Sequence, residues 1–138
     1  MINKINIIRA EAKHLPSLKK LYWGLQCFEA TYNPDVRITE KARYKHYRDM
    51  EKTFTEGNSV IYIAESEDKK VVGYIEAYDY GREYSTICDV FIQQKFRNKG
   101  IGRKLFEATF SELKKEDIER FVYKLIRKIG MPYDFINF

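Results

Sequence analysis

The spacing of apolar residues changes several times along the chain, and each change marks an element. Ile5, Ile7 and Ile8 ahead of Arg9 read as a first strand. From Leu15 the step lengthens: Leu15, Leu18, Leu21, Tyr22, Leu25 and Phe28 recur at helical spacing, with Pro16 suited to a first turn and Asn33-Pro34 as the breaker. Thr39 can cap a second helix that carries Tyr44, Tyr47, Met50 and Phe54 along one side and stops near Gly57. Two helices therefore separate the first strand from the rest.

Val60 to Ala64, Val71 to Tyr80 and Tyr84 to Gln93 are β-rich runs joined by short polar connections, Glu67-Asp68-Lys69-Lys70 and Gly81-Arg82-Glu83. They predict an antiparallel meander. A helix from Gly100 to about Lys115 then turns Ile101, Leu105, Ala108 and Phe110 to Leu113 toward the sheet, with Glu112, Lys114 and Lys115 outside. Beyond it, Ile118, Phe121, Val122, Leu125, Ile126 and Ile129 fall on one helical stripe from Asp117, with Gly130 and Pro132 as stop signals. Phe135 to Phe138 would form a last short strand.

At 138 residues the length suits a single domain, 1–138, and nothing in it reads as a linker. The 44% hydrophobic and 33% charged fractions are those of a soluble globular chain, and no apolar run approaches the roughly 20 residues that span a bilayer. The start, Met1-Ile2-Asn3-Lys4, lacks the apolar stretch of a signal peptide, so a cytoplasmic location without membrane partner is expected. Cys27 and Cys88 have no ligand-like spacing and no neighbouring histidine, which predicts buried free thiols and no metal site. His14 and His46 lie among charged residues and read as surface positions. The net charge of +5 admits a nucleic-acid partner, but basic and acidic residues alternate nearly everywhere. Only Lys95 to Lys104 and Lys41 to Arg48 are locally basic, and a phosphate-bearing cofactor accounts for the first better than a polynucleotide does.

That basic stretch follows the strongest strand. Ile87, Val90, Phe91 and Ile92 lead into the polar bend Gln93 to Asn98, and Gly100-Ile101-Gly102 opens a helix. Backbone N–H groups and the positive end of a helix dipole then converge on one point, where an anion belongs. A P-loop requires Lys and then Ser or Thr after its last Gly, where Arg103 and Lys104 stand; the dinucleotide fingerprint requires a third Gly in place of Leu105. Arg97-x-x-Gly100-x-Gly102 instead resembles the pyrophosphate signature of the GNAT superfamily of N-acetyltransferases, and Asp89 to Leu105 resembles that family's fourth strand and third helix.

The resemblance implies an α+β fold, with a mixed, mainly antiparallel twisted sheet flanked by helices in the order β-α-α-β-β-β-α and a shortened C-terminal part. It also implies acetyl-CoA as co-substrate. Asn98, Lys99, Gly100, Ile101, Gly102 and Arg103 would receive the pyrophosphate with Arg97, and Val90, Phe91 and Ile92 would offer strand backbone to the amide-bearing arm. Family order would make Phe121 to Ile126 a fifth strand, against the helical stripe read there. The acceptor would be a primary amine of a small molecule or peptide, and a homodimer stays open.

Direct attack on a thioester needs a base for the substrate ammonium, a donor for the oxyanion and an acid for the departing thiolate. Asp89 and, on the preceding strand, Glu76 are the candidate bases. The tyrosine that many relatives place four residues before the Gly of the fourth helix is Ile126 here; Tyr123 is the nearest. Tyr22, Trp23, Cys27, Glu29, Tyr32 and Asp35 would form the acceptor wall. Without an evident acid, a module that binds acetyl-CoA with little turnover is the alternative, and a cofactor-free nucleic-acid-binding domain is a third reading.

Overall fold

The computed structural model describes residues 4–57, 59–79 and 85–113. The chain runs β1 (Ile5–Arg9), α1 (Leu15–Ala30), α2 (Glu40–Glu56), β2 (Ser59–Ser66), β3 (Val71–Asp79), β4 (Ser85–Ile92) and α3 (Ile101–Glu112), with 3₁₀ turns at Ala12–His14 and Gln94–Phe96. All neighbouring strands are antiparallel, in the order β1-β2-β3-β4. The expected order β-α-α-β-β-β-α is therefore present. The segment 117–129, with its helical and strand readings, and the strand expected at 135–138 lie outside the described residues.

The sheet has an apolar layer on each face. On one, Val60, Ala64, Ile75, Ala77 and Ile87 meet Ile101, Leu105 and Phe106 of α3. On the other, Ile61, Ile63 and Tyr74 meet Leu18 and Leu21 of α1 and Met50 of α2. Alternation in β2 serves both layers, which is why it reads as a continuous apolar run. No helix among the described residues is long and apolar enough to cross a membrane.

β4 contains one extra residue. Glu76 pairs with Asp89 and Ala77 with Ile87, so Cys88 has no opposite number in β3. This bulge places Ile87 in the α3-side core while Asp89, two positions on, faces the α1–α2 side. In a regular strand the two would share a face.

Helix ends follow local chemistry. Thr39 Oγ1 accepts a hydrogen bond from the Ala42 backbone N–H at 3.1 Å, and Gly57 closes α2 in the left-handed region at φ 69°. Thr39→Ala is expected to destabilise the fold by about 1 kcal/mol, whereas Thr39→Ser retains the cap. Thermal melts of the two variants check this, and equal midpoints would deny the cap a role. α1 stops at Ala30, short of the Asn33-Pro34 breaker, and α3 stops at Glu112, where Leu113 turns extended.

One expectation is overturned: His14 is buried. Its Nδ1 accepts from the Glu11 backbone N–H at 2.9 Å, and its Nε2 stands 3.5 Å from Glu65 of β2. The 3₁₀ turn folds the ring back under α1, a placement that charged sequence neighbours do not reveal. His46 is half-buried, its ring centroid 5.2 Å from that of Tyr22 and 5.9 Å from that of Trp23.

Candidate active site

The site begins at the corner between β4 and α3. Gln93 still bonds the sheet, its N–H reaching Val72 O at 2.9 Å, before the Gln94–Phe96 turn redirects the chain. Arg97 then folds back: its Nε donates to Ile92 O at 2.7 Å, and its guanidinium lies 5.2 Å from the Phe28 ring centroid and 5.5 Å from that of Phe91. It braces the strand end and brings a fixed positive charge to the corner. Asn98 and Gly100 both take left-handed backbone, at φ 63° and 80°. These two residues turn the chain sharply into α3.

The first bond within α3 runs from Lys104 N–H to Gly100 O, so the N–H groups of Gly100, Ile101, Gly102 and Arg103 have no intrahelical acceptor. A Cβ built on Gly100 would meet nothing within 4 Å, and one on Gly102 would meet only Ile92 Cδ1 at 3.4 Å. Space beside Gly100 is therefore open, and the helix start next to it carries backbone N–H groups. That arrangement fits a pyrophosphate. Lys99 and Arg103 are exposed beside it, Lys99 Nζ lying 5.7 Å from the Phe96 ring centroid and Arg103 pairing with Glu107 at 3.2 Å.

Toward the middle of β4 come Ile92, Phe91 and Val90, all half-buried. Val90 and Ile92 pack toward α3, and Phe91 packs toward α1. Among the described residues β4 is the sheet's edge strand, with β3 on one side only. Among these residues its outer backbone edge has no ladder partner and can accept a further strand.

Three residues back, roughly 10 Å at the rise of a strand, the carboxylates meet. Glu76 is 4% exposed and stands directly across from half-buried Asp89. It accepts hydrogen bonds from Ser59 Oγ, at 3.4 Å, and from the Tyr78 hydroxyl. Burial first, and then the charge of Asp89, push the Glu76 carboxyl up from the ordinary 4.5 to about 7. A group so placed releases or takes up a proton near neutrality.

Both carboxylates face a cavity of about 410 Å³ lined by Tyr22 of α1, Tyr78, Cys88, and Asp49, Met50, Lys52, Thr53 and Glu56 of α2. Burial, with Asp89 and Glu76 nearby, holds the Tyr22 phenol's proton well above its usual range, and burial raises Tyr78 as well. Of the expected acceptor wall, Tyr22 alone lines this cavity. Trp23 packs on His46, and Tyr32 is 76% exposed beside Phe28. The sequence reading missed the α2 residues. Their signal was present, because Asp49, Thr53 and Glu56 recur at helical spacing beside the Met50 stripe. Neither Cys27 nor Cys88 is in a disulfide, both are half-buried rather than buried, and Cys88 belongs to the pocket.

The sequence model of the acetyltransferase (GNAT) family matches residues 19–128. The chain belongs to this family. No curated protein matches it in sequence. Among solved structures it is similar to a GNAT-family acetyltransferase of Staphylococcus aureus Mu50, with a TM-score of 0.64 and 20% identity over 83% of this chain and 70% of that one. It is also similar to the PaiA N-acetyltransferase of Thermoplasma acidophilum in complex with coenzyme A, at a TM-score of 0.62 and 18% identity over 83% and 75% of the two chains. A predicted acetyltransferase of Clostridium acetobutylicum with acetyl-CoA gives 0.62 and 16% over 82% and 75%. At these identities the likeness concerns the fold. The antiparallel sheet flanked by helices is thus a GNAT-like α+β fold, and acetyl transfer is the general chemistry of the family.

Proposed function

We propose that the protein is an N-acetyltransferase that passes the acetyl group of acetyl-CoA to a primary amine by direct attack. The observation that carries this is the Glu76–Asp89 pair, which faces a cavity and stands across β3 and β4, the latter being the strand whose end turns through Gln93 to Gly100 into the open start of α3. Acetyl-CoA supplies a thioester carbonyl; the amine nitrogen bonds to its carbon, the C–S bond breaks, and the thiol leaves.

The chain's residues have separable duties. Backbone N–H groups from Asn98 to Arg103 hold the pyrophosphate, with Arg97 and Lys99 supplying charge, and Val90, Phe91 and Ile92 align the arm. Glu76, ionised in about half of the molecules near pH 7, takes the ammonium proton and leaves the amine lone pair free. Asp89 holds the adjacent negative charge that keeps Glu76 a strong enough base. Tyr22 and Tyr78 are the phenols in the cavity, both protonated at neutral pH, and either supplies a proton donor for the leaving thiolate. Tyr123 and Ile126 lie outside the described residues.

Calorimetry with acetyl-CoA followed by thiol release across a panel of amines tests the proposal. Arg97→Ala is expected to weaken acetyl-CoA binding by about ten- to a hundredfold, the value of a charged hydrogen bond. Tight binding without thiol release from any amine would make the protein a binding module instead.

A further inference from the structure

A second cavity, of about 620 Å³, opens on the α1 side of the sheet, and acetyl transfer draws only on its edge, at Phe91 and Arg97. Its charge is one-sided. Lys20 of α1, Lys69 and Lys70 of the β2–β3 turn and Arg97 beyond β4 line it, and none of its lining residues is an aspartate or glutamate. Lys19, the sequence neighbour of Lys20, pairs with Glu51, whereas Lys20 has no ion pair among the described residues. Lys69 and Lys70 reach only Glu65 and Asp68, at 3.6 and 3.7 Å, beyond hydrogen-bond range and outside the cavity lining. Arg97 meets a carbonyl oxygen and two rings but no carboxylate among the described residues. Four cations gathered without an acid repel one another until an anion joins them.

The walls suit more than a bare ion. Phe28 is 43% exposed and Phe91 half-buried, and their ring centroids lie 5.2 and 5.5 Å from the Arg97 guanidinium carbon. Gly24, within α1, brings the helix directly onto Phe91, since a Cβ there would stand 3.2 Å from the ring. The ring is thereby held in place. A phosphate carried on a planar base matches both features, its oxygens accepting from ammonium and guanidinium groups while the base lies along the aromatic walls. The volume is that of a small-molecule site.

We propose that this cavity is a second ligand site, for a nucleoside monophosphate held by Lys20, Lys70 and Arg97 with its base along Phe28 and Phe91. It is distinct from the corner at Gly100. That helix start belongs to α3, which packs on the opposite face of the sheet from α1. Arg97 serves both places, so two anions draw on one guanidinium, and each ligand weakens the binding of the other by the same factor. The site itself stands without acetyl transfer; its opposition to acetyl-CoA rests on that reading.

Calorimetry on the full chain compares adenosine 5′-monophosphate with adenosine, which lacks the phosphate, and with ribose 5-phosphate, which lacks the base. The nucleotide is expected to bind about ten- to a hundredfold more tightly than adenosine, the value of a charged hydrogen bond, and more tightly than ribose 5-phosphate. Replacing two exposed cations together, Lys20→Gln with Lys70→Gln, should remove the advantage over adenosine. Lys41→Gln with Lys45→Gln, the same charge change at exposed α2 positions outside the cavity lining, should keep it. Nucleotide no tighter than adenosine or ribose 5-phosphate, an advantage that survives Lys20→Gln with Lys70→Gln, or one lost in both double variants would overturn the inference. Saturating nucleotide should raise the Kd of acetyl-CoA by about fivefold or more, and that of dephospho-CoA, which lacks the ribose 3′-phosphate, equally; unchanged values would refute the shared guanidinium. If Lys20→Gln with Lys70→Gln weakened coenzyme A but spared dephospho-CoA, the cavity would belong to the co-substrate's own 3′-phosphate and the second ligand would be refuted. If acetyl-CoA did not bind at all, acetyl transfer would fail, and the nucleotide titration would still decide the cavity.

Discussion

Glu76→Gln is expected to lower acetyl transfer by about 10² to 10⁴, the usual contribution of a general base, with little change in acetyl-CoA affinity. The same substitution should stabilise the fold above neutral pH. Glu76 titrates near 7 in the folded chain against an ordinary 4.5, so between these values the folded state keeps a proton that the unfolded state has lost. Stability contributed by that proton is complete below about pH 4.5 and disappears as pH rises through 7, a loss of roughly 3 kcal/mol at about 1.4 per unit. Gln cannot ionise, keeps an acceptor for Ser59 and Tyr78, and can turn an N–H toward Asp89. Melting wild type and variant at pH 5 and pH 8 isolates the effect: the wild type should lose more of its midpoint between the two. Full turnover in the variant, or parallel pH dependence, would remove Glu76 from the role of base.

Gly100→Asp should abolish measurable acetyl-CoA binding without unfolding the chain. At φ 80° a side chain is strained by about 1 kcal/mol, and Asp tolerates left-handed backbone better than most residues. The new carboxylate enters open space, since nothing lies within 4 Å of that Cβ, and it competes for the N–H groups that would hold the pyrophosphate. Gly100→Ala carries similar strain without charge and should bind more weakly than wild type but detectably. Calorimetry on both separates strain from repulsion. Undiminished heat with the Asp variant would place the cofactor elsewhere.

The helices were readable because each buries one stripe, and the stripe survives in the spacing of Leu18, Leu21 and Leu25 or of Ile101, Leu105 and Phe106. The β4–α3 corner was readable because left-handed backbone at Gly100 and an open helix start restrict residue choice. The candidate bases were legible as isolated carboxylates in apolar strands, but their pairing was not. Alternation alone puts Ile87 and Asp89 on one face, and only the bulge at Cys88 separates them. Asp49 and Glu56 were obscure for another reason: a charged residue on an amphipathic helix has the same sequence signature whether it faces water or a cavity rim. Where α2 crosses the sheet decides between those, and that is a property of packing. His14 is a similar case, because the partner that buries it, Glu65, is distant in sequence.

On the proposed reading, the two ends of β4 would engage their ligands by different means. From Val90 through the corner at Gly100, recognition would use the main chain, which every sequence has; at Glu76, Asp89 and α2 it would use side chains. An ancestral chain could therefore change its acceptor by exchanging residues on one exposed helix without renegotiating its grip on the shared acyl donor. Asp49, Lys52 and Glu56 are the natural positions for such retuning, in evolution or in the laboratory, since they help shape the cavity while the sheet and its two cores carry the fold.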